Sequence, residues 1–284
     1  MIKTYYQLTK PGIVRGNLFT AAGGFFLAAR GHVDFLHLFL ALFGTVFVIA
    51  SGCVFNNFTD RTLDEKMERT KKRALVTGQI LPRNALIFAS MLLFFGLTFL
   101  LCINLLTALV AVFGFVFYVF VYGYWKRKSI HGTLVGSISG ATPPVIGYVA
   151  VTNSLDLGAL LLFLILVMWQ MPHFYAIGIF RKDEYAAANL PVLPVVMGID
   201  AAKKQMRYYV TGFILAITIL AAFGYVGFFY LMVMLSVGGI WLFDIFLGSV
   251  AKDNKKWATR IFVYSILVLT IFSILISIDF ALPF

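Results

Sequence analysis

Nine apolar stretches of near-uniform length run through this chain, and few folds can accommodate them. They cover roughly 13–29, 37–55, 85–103, 106–124, 134–151, 157–179, 208–226, 228–247 and 260–279. A helix needs about 20 apolar residues to cross a hydrocarbon core of about 30 Å. Within each stretch the apolar residues are continuous rather than alternating, which argues against the strands of a membrane barrel. Only 12% of the residues are charged and the mean hydropathy is +0.92. Soluble domains carry about 25% charged residues. The expectation is an all-α integral membrane protein: nine transmembrane helices in one domain over residues 1–284.

The net charge of +11 suggests a nucleic-acid partner until its distribution is read. Nine crossings place 22 of the 23 Lys and Arg residues on one side, and only Arg30 on the other. The positive-inside rule then predicts a cytoplasmic N-terminus and an outer C-terminus. Topology accounts for the basic charge, so no nucleic acid is expected and the partner surface is the lipid bilayer. Cys53 and Cys102 lie in or at apolar runs without metal-ligand spacing and read as small membrane residues. Asn17 and Gly23-Gly24 interrupt the first run, which is expected to persist as a helix rather than act as a cleaved signal. The two long loops, 56–84 and 180–207, lie four helices apart on the basic side. This spacing suggests a four-plus-four helix duplication with a ninth helix, 260–279, added. Gly132, Gly136 and Gly140 recur every four residues, which predicts close helix packing.

The chemistry concentrates in residues 56–73, NNFTDRTLDEKMERTKKR, where the second apolar run ends. Asn56, Asp60 and Asp64 are four residues apart, so a continuous helix would stack them on one face, about 6 Å of rise between neighbours. Arg69, Lys71, Lys72 and Arg73 follow. Hard oxygen ligands suit Mg²⁺, and the cations suit the phosphate oxygens of a diphosphate. A single Asp or Asn at a membrane boundary is ordinarily a solvated helix end. Three on one face followed by four cations favour a site. Arg69 and Arg73, again four apart, would clamp phosphate oxygens.

The pattern Asn56-x-x-x-Asp60-x-x-x-Asp64, followed by Met67, Arg69-Thr70 and Arg73, resembles the first aspartate-rich motif of the UbiA-type intramembrane prenyltransferases. Further segments sharpen the likeness: TKPGI at 9–13, SGCVFNN at 51–57, GTLVGSISGATPPVIGY at 132–148, WQMPHFYAI at 169–177 and ANLPVLPVVMG at 188–198. Together they resemble the haem O synthase branch of that superfamily over nearly the whole chain. The resemblance implies farnesyl transfer from farnesyl diphosphate to a vinyl group of haem B, with Mg²⁺ as cofactor and the active site facing the cytoplasm. A terminal oxidase would use the product. It implies Asp60, Asp64, Tyr122 and Lys126 as catalytic residues, with Asn56, Asp60 and Asp64 holding the metal. Asn56, Asn57, Arg69, Lys72, Arg73, Arg127 and Asp183 would bind the diphosphate.

Two departures stand out. Thr62 occupies a position that is acidic in many relatives, and RKDEY at 181–185 replaces the second Asp-x-x-x-Asp of quinone-type members. A second metal site is therefore left open. For the haem side, Trp169, Gln170 and His173 are expected on one face of the sixth helix, and His131 beside Lys126-Arg127-Lys128 is the other candidate. A buried, hydrogen-bonded histidine beside the helix break at Pro172 is the competing explanation for His173. Tyr118 and Tyr124 fit an interfacial aromatic belt. Asp279 is expected to be solvated near the outer end. Two alternatives remain at this stage: an aromatic prenyltransferase for quinone precursors, and a membrane transporter with an internal repeat.

Overall fold

The computed structural model describes residues 1–279, which form helices joined by short connections, without a strand among them. Among the described residues, nine helices are long and apolar enough to cross a membrane: Pro11–Ala29, Phe35–Thr59, Pro82–Leu101, Leu105–Trp125, Gly132–Thr152, Leu157–Phe180, Ile199–Ala222, Phe228–Val250 and Asn254–Ile278. They are numbered first to ninth here. A short helix, Ile2–Leu8, precedes them.

The seventh helix starts at Ile199 rather than near residue 208. Ala202, Met206 and Val210 are buried at helical spacing, while Lys204 and Tyr208 on the other side are exposed. That first part is amphipathic, so an apolar count misses it. The ninth helix likewise begins at Asn254 rather than at 260, because the Asp253 carboxylate accepts from the Lys255 and Lys256 amides and caps it. Asp34, Asn104 and Asp156 cap the second, fourth and sixth helices in the same way.

The first helix packs against the second, fifth and ninth, and the sixth against the seventh and ninth. Between apolar helices in lipid there is no hydrophobic drive to associate, so close approach through small residues matters. A Cβ on Gly24 would collide with the Pro144 carbonyl, and one on Gly147 with the Ala21 carbonyl. The 132/136/140 stripe does the same work. Gly132 meets the Lys126 backbone, Gly136 the Tyr122 ring and Gly140 the Gln170 side chain. The main core lies among the sixth to ninth helices, with Phe213, Tyr230, Trp241 and Phe272 fully buried. Phe94, Phe120 and Phe243 are exposed outward, as expected of surface that lipid covers.

The two long loops meet at one end of the bundle. Leu63 and Met67 pack with Tyr185, Ala188 and Leu190, and Arg69 Nε lies 4.0 Å from Glu184 Oε2. Arg30 is at the opposite end, where its Nη2 lies 3.5 Å from the Gly224 carbonyl. Asp279 is there too, but buried rather than solvated. Its Oδ2 accepts from the amides of Gly227 (2.7 Å) and Tyr230 (3.0 Å). The free N–H groups at the start of the eighth helix attract this carboxylate.

Two outcomes follow. Gly147→Ala should destabilise the protein by about 1–3 kcal/mol, the usual cost of overpacking a tight site, read as a lowered Tm in detergent. In a chain lacking Cys102, labels at Lys71→Cys, Lys128→Cys and Lys252→Cys should all react from one side of the membrane, and Asn153→Cys from the other. Reaction of Lys71→Cys and Lys252→Cys from opposite sides would break this topology.

Candidate active site

The second helix runs to Thr59, and Asp60 is its C-cap, with φ −91° and ψ 0°. A separate turn, Arg61–Asp64, follows. The three oxygen-bearing residues therefore do not sit on one unbroken helix. The backbone stays close to helical, since the Asp64 amide bonds the Asp60 carbonyl at 2.8 Å. Asn56, Asp60 and Asp64 remain neighbours, all buried.

Buried carboxylates need partners, and two segments of the chain supply them, while a third serves Asn56 beside them. Lys126 Nζ and Arg127 Nη2 both donate to Asp60, the latter at 2.9 Å and also to the Thr59 carbonyl at 2.7 Å. Arg73 Nη1 donates to Asp64 Oδ2 at 2.7 Å and to Asn57 Oδ1 at 3.1 Å. Asn57 in turn donates to the Leu8 carbonyl at 2.8 Å. Lys10 Nζ donates to Asn56 Oδ1 at 2.7 Å. Burial pushes the Asp60 carboxyl up, yet Lys126, Arg127 and Lys10 outweigh it and hold it below the ordinary carboxylate range. Burial pushes Lys126 down against the pull of Asp60, and brings Lys10 down to about 8.

An aromatic wall adjoins this cluster. The fourth helix widens into a π turn over Phe117–Tyr122, a departure often found at functional sites. Tyr118 and Tyr122 stack there with centroids 5.7 Å apart, and Lys126 Nζ lies 5.1 Å from the Tyr122 ring centroid. Tyr118 rests on Gly52 of the second helix, so it belongs inside the bundle and not to an interfacial belt.

The expected residues thus divide. Asn56, Asn57, Asp60, Asp64, Arg73, Tyr122, Lys126 and Arg127 come together. Arg69 does not form a clamp with Arg73, because the chain there turns instead of continuing a helix and carries Arg69 to Glu184. Lys72 and Asp183 are exposed, away from these contacts, and Glu184 is the engaged acid of RKDEY, bonded to Arg181 at 3.1 Å. Lys10 and Tyr118 join the site unanticipated. For Lys10 the available signal was its place directly before Pro11, where it adopts a left-handed backbone, φ 52°, at the helix start.

On the sixth helix the shared face divides. Trp169 Nε1 donates to the Ser265 carbonyl (2.8 Å), and His173 Nδ1 lies 2.7 Å from Ser265 Oγ, both facing the ninth helix. Gln170 faces the fifth helix instead, donating to the Ser137 carbonyl at 3.1 Å. The i+1 offset from Trp169 turns it by about 100°. His173 is held between the rings of Trp169 and Phe262, at 4.9 and 4.8 Å. His131 is exposed at the start of the fifth helix. An apolar cavity of about 780 Å³, bordered by Leu109, Phe113, Thr142, Val145, Ala159 and Phe163, lies toward the other end of the fourth helix and lacks this cluster's cations.

The donor set is all hard oxygen: two carboxylates and an amide. Among the described residues no three His, Cys, Asp or Glu side chains gather into a metal cage. Two carboxylates and an amide suit Mg²⁺, which commonly takes one or two carboxylates and completes its shell with water and substrate phosphate.

A bundle of this topology, with paired carboxylates and cations at one end of its membrane helices, has the makings of an intramembrane enzyme. The chain belongs to the UbiA prenyltransferase family, a family of prenyl-transferring enzymes, which it matches over residues 17–267. It is similar to protohaem IX farnesyltransferase 2 of Pseudomonas fluorescens strain Pf0-1, with 51% identity over 284 residues, 99% of this chain and 96% of that protein. It is 50% identical to protohaem IX farnesyltransferase of Cronobacter sakazakii, covering 100% and 97%. The fold matches a digeranylgeranylglyceryl phosphate synthase structure with TM-score 0.81 and 19% identity, covering 98% of each chain. It also matches a UbiA homologue from Archaeoglobus fulgidus bound to GPP and Mg²⁺, with TM-score 0.70 and 17% identity, covering 97% and 100%.

Lys126→Gln should lower prenyl-transfer turnover by about tenfold or more, as expected when a charge-assisted contact to a departing anion is lost. Tyr118→Phe should keep the stacked wall and most of the activity. Steady-state kinetics on both variants check this, and a Lys126→Gln protein with unchanged turnover would remove it from the site.

Proposed function

We propose that this chain transfers a farnesyl group from farnesyl diphosphate to a vinyl group of haem B, giving haem O. The observation that carries the reading is the Lys126–Asp60–Arg127 and Arg73–Asp64 cluster, in a chain half identical over nearly its whole length to proteins named protohaem IX farnesyltransferase. Mg²⁺, held by Asp60, Asp64 and Asn56, would supply Lewis-acid charge to the leaving diphosphate. Lys126, Arg127, Arg73 and Lys10 bind its oxygens and offset the negative charge that builds on departure. The allylic C–O bond breaks with its electron pair going to the diphosphate. The haem vinyl carbon attacks the farnesyl cation, and water captures the resulting cation with loss of a proton. Tyr118 and Tyr122 keep water from the allylic carbon before the vinyl group reaches it.

The acceptor side is assigned to His173. Ser265 Oγ donates to the Phe262 carbonyl at 2.6 Å and so accepts from Nδ1–H, which fixes the ring and leaves Nε2 with a free lone pair able to meet haem iron. The basic end faces the cytoplasm of a bacterial plasma membrane, by the charge asymmetry. The product would serve a terminal oxidase.

Purified protein incubated with haem B, farnesyl diphosphate and Mg²⁺ should yield haem of hydroxyethylfarnesyl mass, and EDTA should stop the reaction. Asp60→Asn and Asp64→Asn should each cut turnover by about a hundredfold or more while the protein stays folded. Unmodified haem with native protein would overturn the substrate assignment, and full turnover in EDTA would overturn the metal. His173→Ala should weaken haem binding in a spectral titration and leave farnesyl diphosphate binding within about twofold, since the two groups lie on different helices. Normal haem conversion by that variant would make His173 a packing partner of Ser265.

A further inference from the structure

A second group of cations sits at the basic end, where the seventh, eighth and ninth helices meet, outside the cluster assigned above to the diphosphate. Lys203 is only 5% exposed. Its ammonium lies 5.4 Å from the Trp257 ring centroid, and its carboxylate neighbour, Asp200 at 3.6 Å, is itself 99% exposed. One turn on, the Arg207 guanidinium bonds Ser249 Oγ and lies 4.9 Å from the Phe246 ring centroid, and its buried Nε has no partner. Lys203 and Arg207 are i and i+4, so they present their charges on one side of the helix. Lys252, Lys255 and Lys256 are exposed on the adjoining segment. Local acids offset little of this: Asp244 is taken by Arg260, and Asp253 caps the ninth helix.

A buried ammonium with one solvated neighbour and a guanidinium nitrogen with none are both costly in isolation. One anion would satisfy the pair. The surroundings identify its source. Phe246, Leu247 and Val250 are exposed beside the cations, so hydrocarbon surface begins where the charges end. We propose that Lys203 and Arg207 form a binding site for the phosphate of an anionic phospholipid, with its acyl chains lying along Phe246, Leu247 and Val250. The site is separate from the diphosphate cluster and draws its lipid from the leaflet on the basic side.

The test uses the full chain in nanodiscs and native mass spectrometry, with phosphatidylglycerol against phosphatidylcholine as probes. Phosphatidylglycerol should remain bound after delipidation and raise the Tm, and phosphatidylcholine should do neither. Lys203→Met, which keeps the side-chain length without the charge, and Arg207→Gln should each weaken phosphatidylglycerol retention by about tenfold or more. The exposed neighbour tested by Lys204→Gln should lose no more than about fivefold, the effect of one basic residue near an anionic surface. Equal losses in all three variants would mean diffuse attraction and would overturn the site. So would unchanged retention in Lys203→Met and Arg207→Gln. Displacement of the lipid by millimolar inorganic phosphate would overturn the lipid as the source. Should Lys203→Met unfold, Arg207→Gln with Val250→Asp, which blocks the acyl track, decides the same question.

Discussion

Asp60 and Asp64 are buried where the second helix leaves the membrane, and an unpaired carboxylate cannot remain there. Their partners come from far apart in the chain: Lys126 and Arg127 after the fourth helix, and Arg73 in the loop after the second. Lys10, before the first helix, reaches Asn56 beside them. The connection of each segment at this end is thereby set by one electrostatic requirement. Four cations against two carboxylates also leave positive charge over, in a place of low dielectric where it is weakly screened. An anion bearing several negative charges is the natural complement of that excess.

The fold was legible because its cause is crude. Twenty apolar residues in a row have one inexpensive arrangement in lipid, a spanning helix. The ends of the seventh and ninth helices were not legible, because hydropathy discards amphipathic turns such as Ile199–Arg207 even when Ala202 and Met206 are buried. Asp279 was misplaced for a related reason. Its partners, the amides of Gly227 and Tyr230, lie some fifty positions earlier in the chain and bear no side-chain signal.

At the site the same four-residue helix argument succeeded for Asn56, Asp60 and Asp64 and failed for Arg69 and Arg73. Asp60 and Asp64 converge through backbone that is only locally helical. Arg69 and Arg73 diverge, because the four-residue argument fails once the chain breaks into turns. Trp169, Gln170 and His173 show the limit from the other side. The helix there is unbroken, yet neighbours i and i+1 point about 100° apart, so Gln170 serves the fifth helix while Trp169 and His173 serve the ninth. Tyr118 was read as part of an interfacial belt for a third reason. A π turn shifts the register of everything within it, and period 3.6 does not foresee that.

Positive-inside distribution explains the sign of the charge at the basic end, and it requires only that cations be near the surface. It does not require burial. Lys10, Lys126 and Lys203 lie deeper than topology needs, each against an aromatic ring or an amide or carboxylate oxygen. Burying a flexible ammonium forfeits hydration and rotamer freedom, and a neutral side chain would pack there at lower cost. The basic residues of this chain therefore form two populations. Lys71, Lys72, Lys128 and Lys252 are exposed, as a basic membrane surface requires. The buried ones carry a free-energy cost that a bound anion, as proposed for both clusters, would offset.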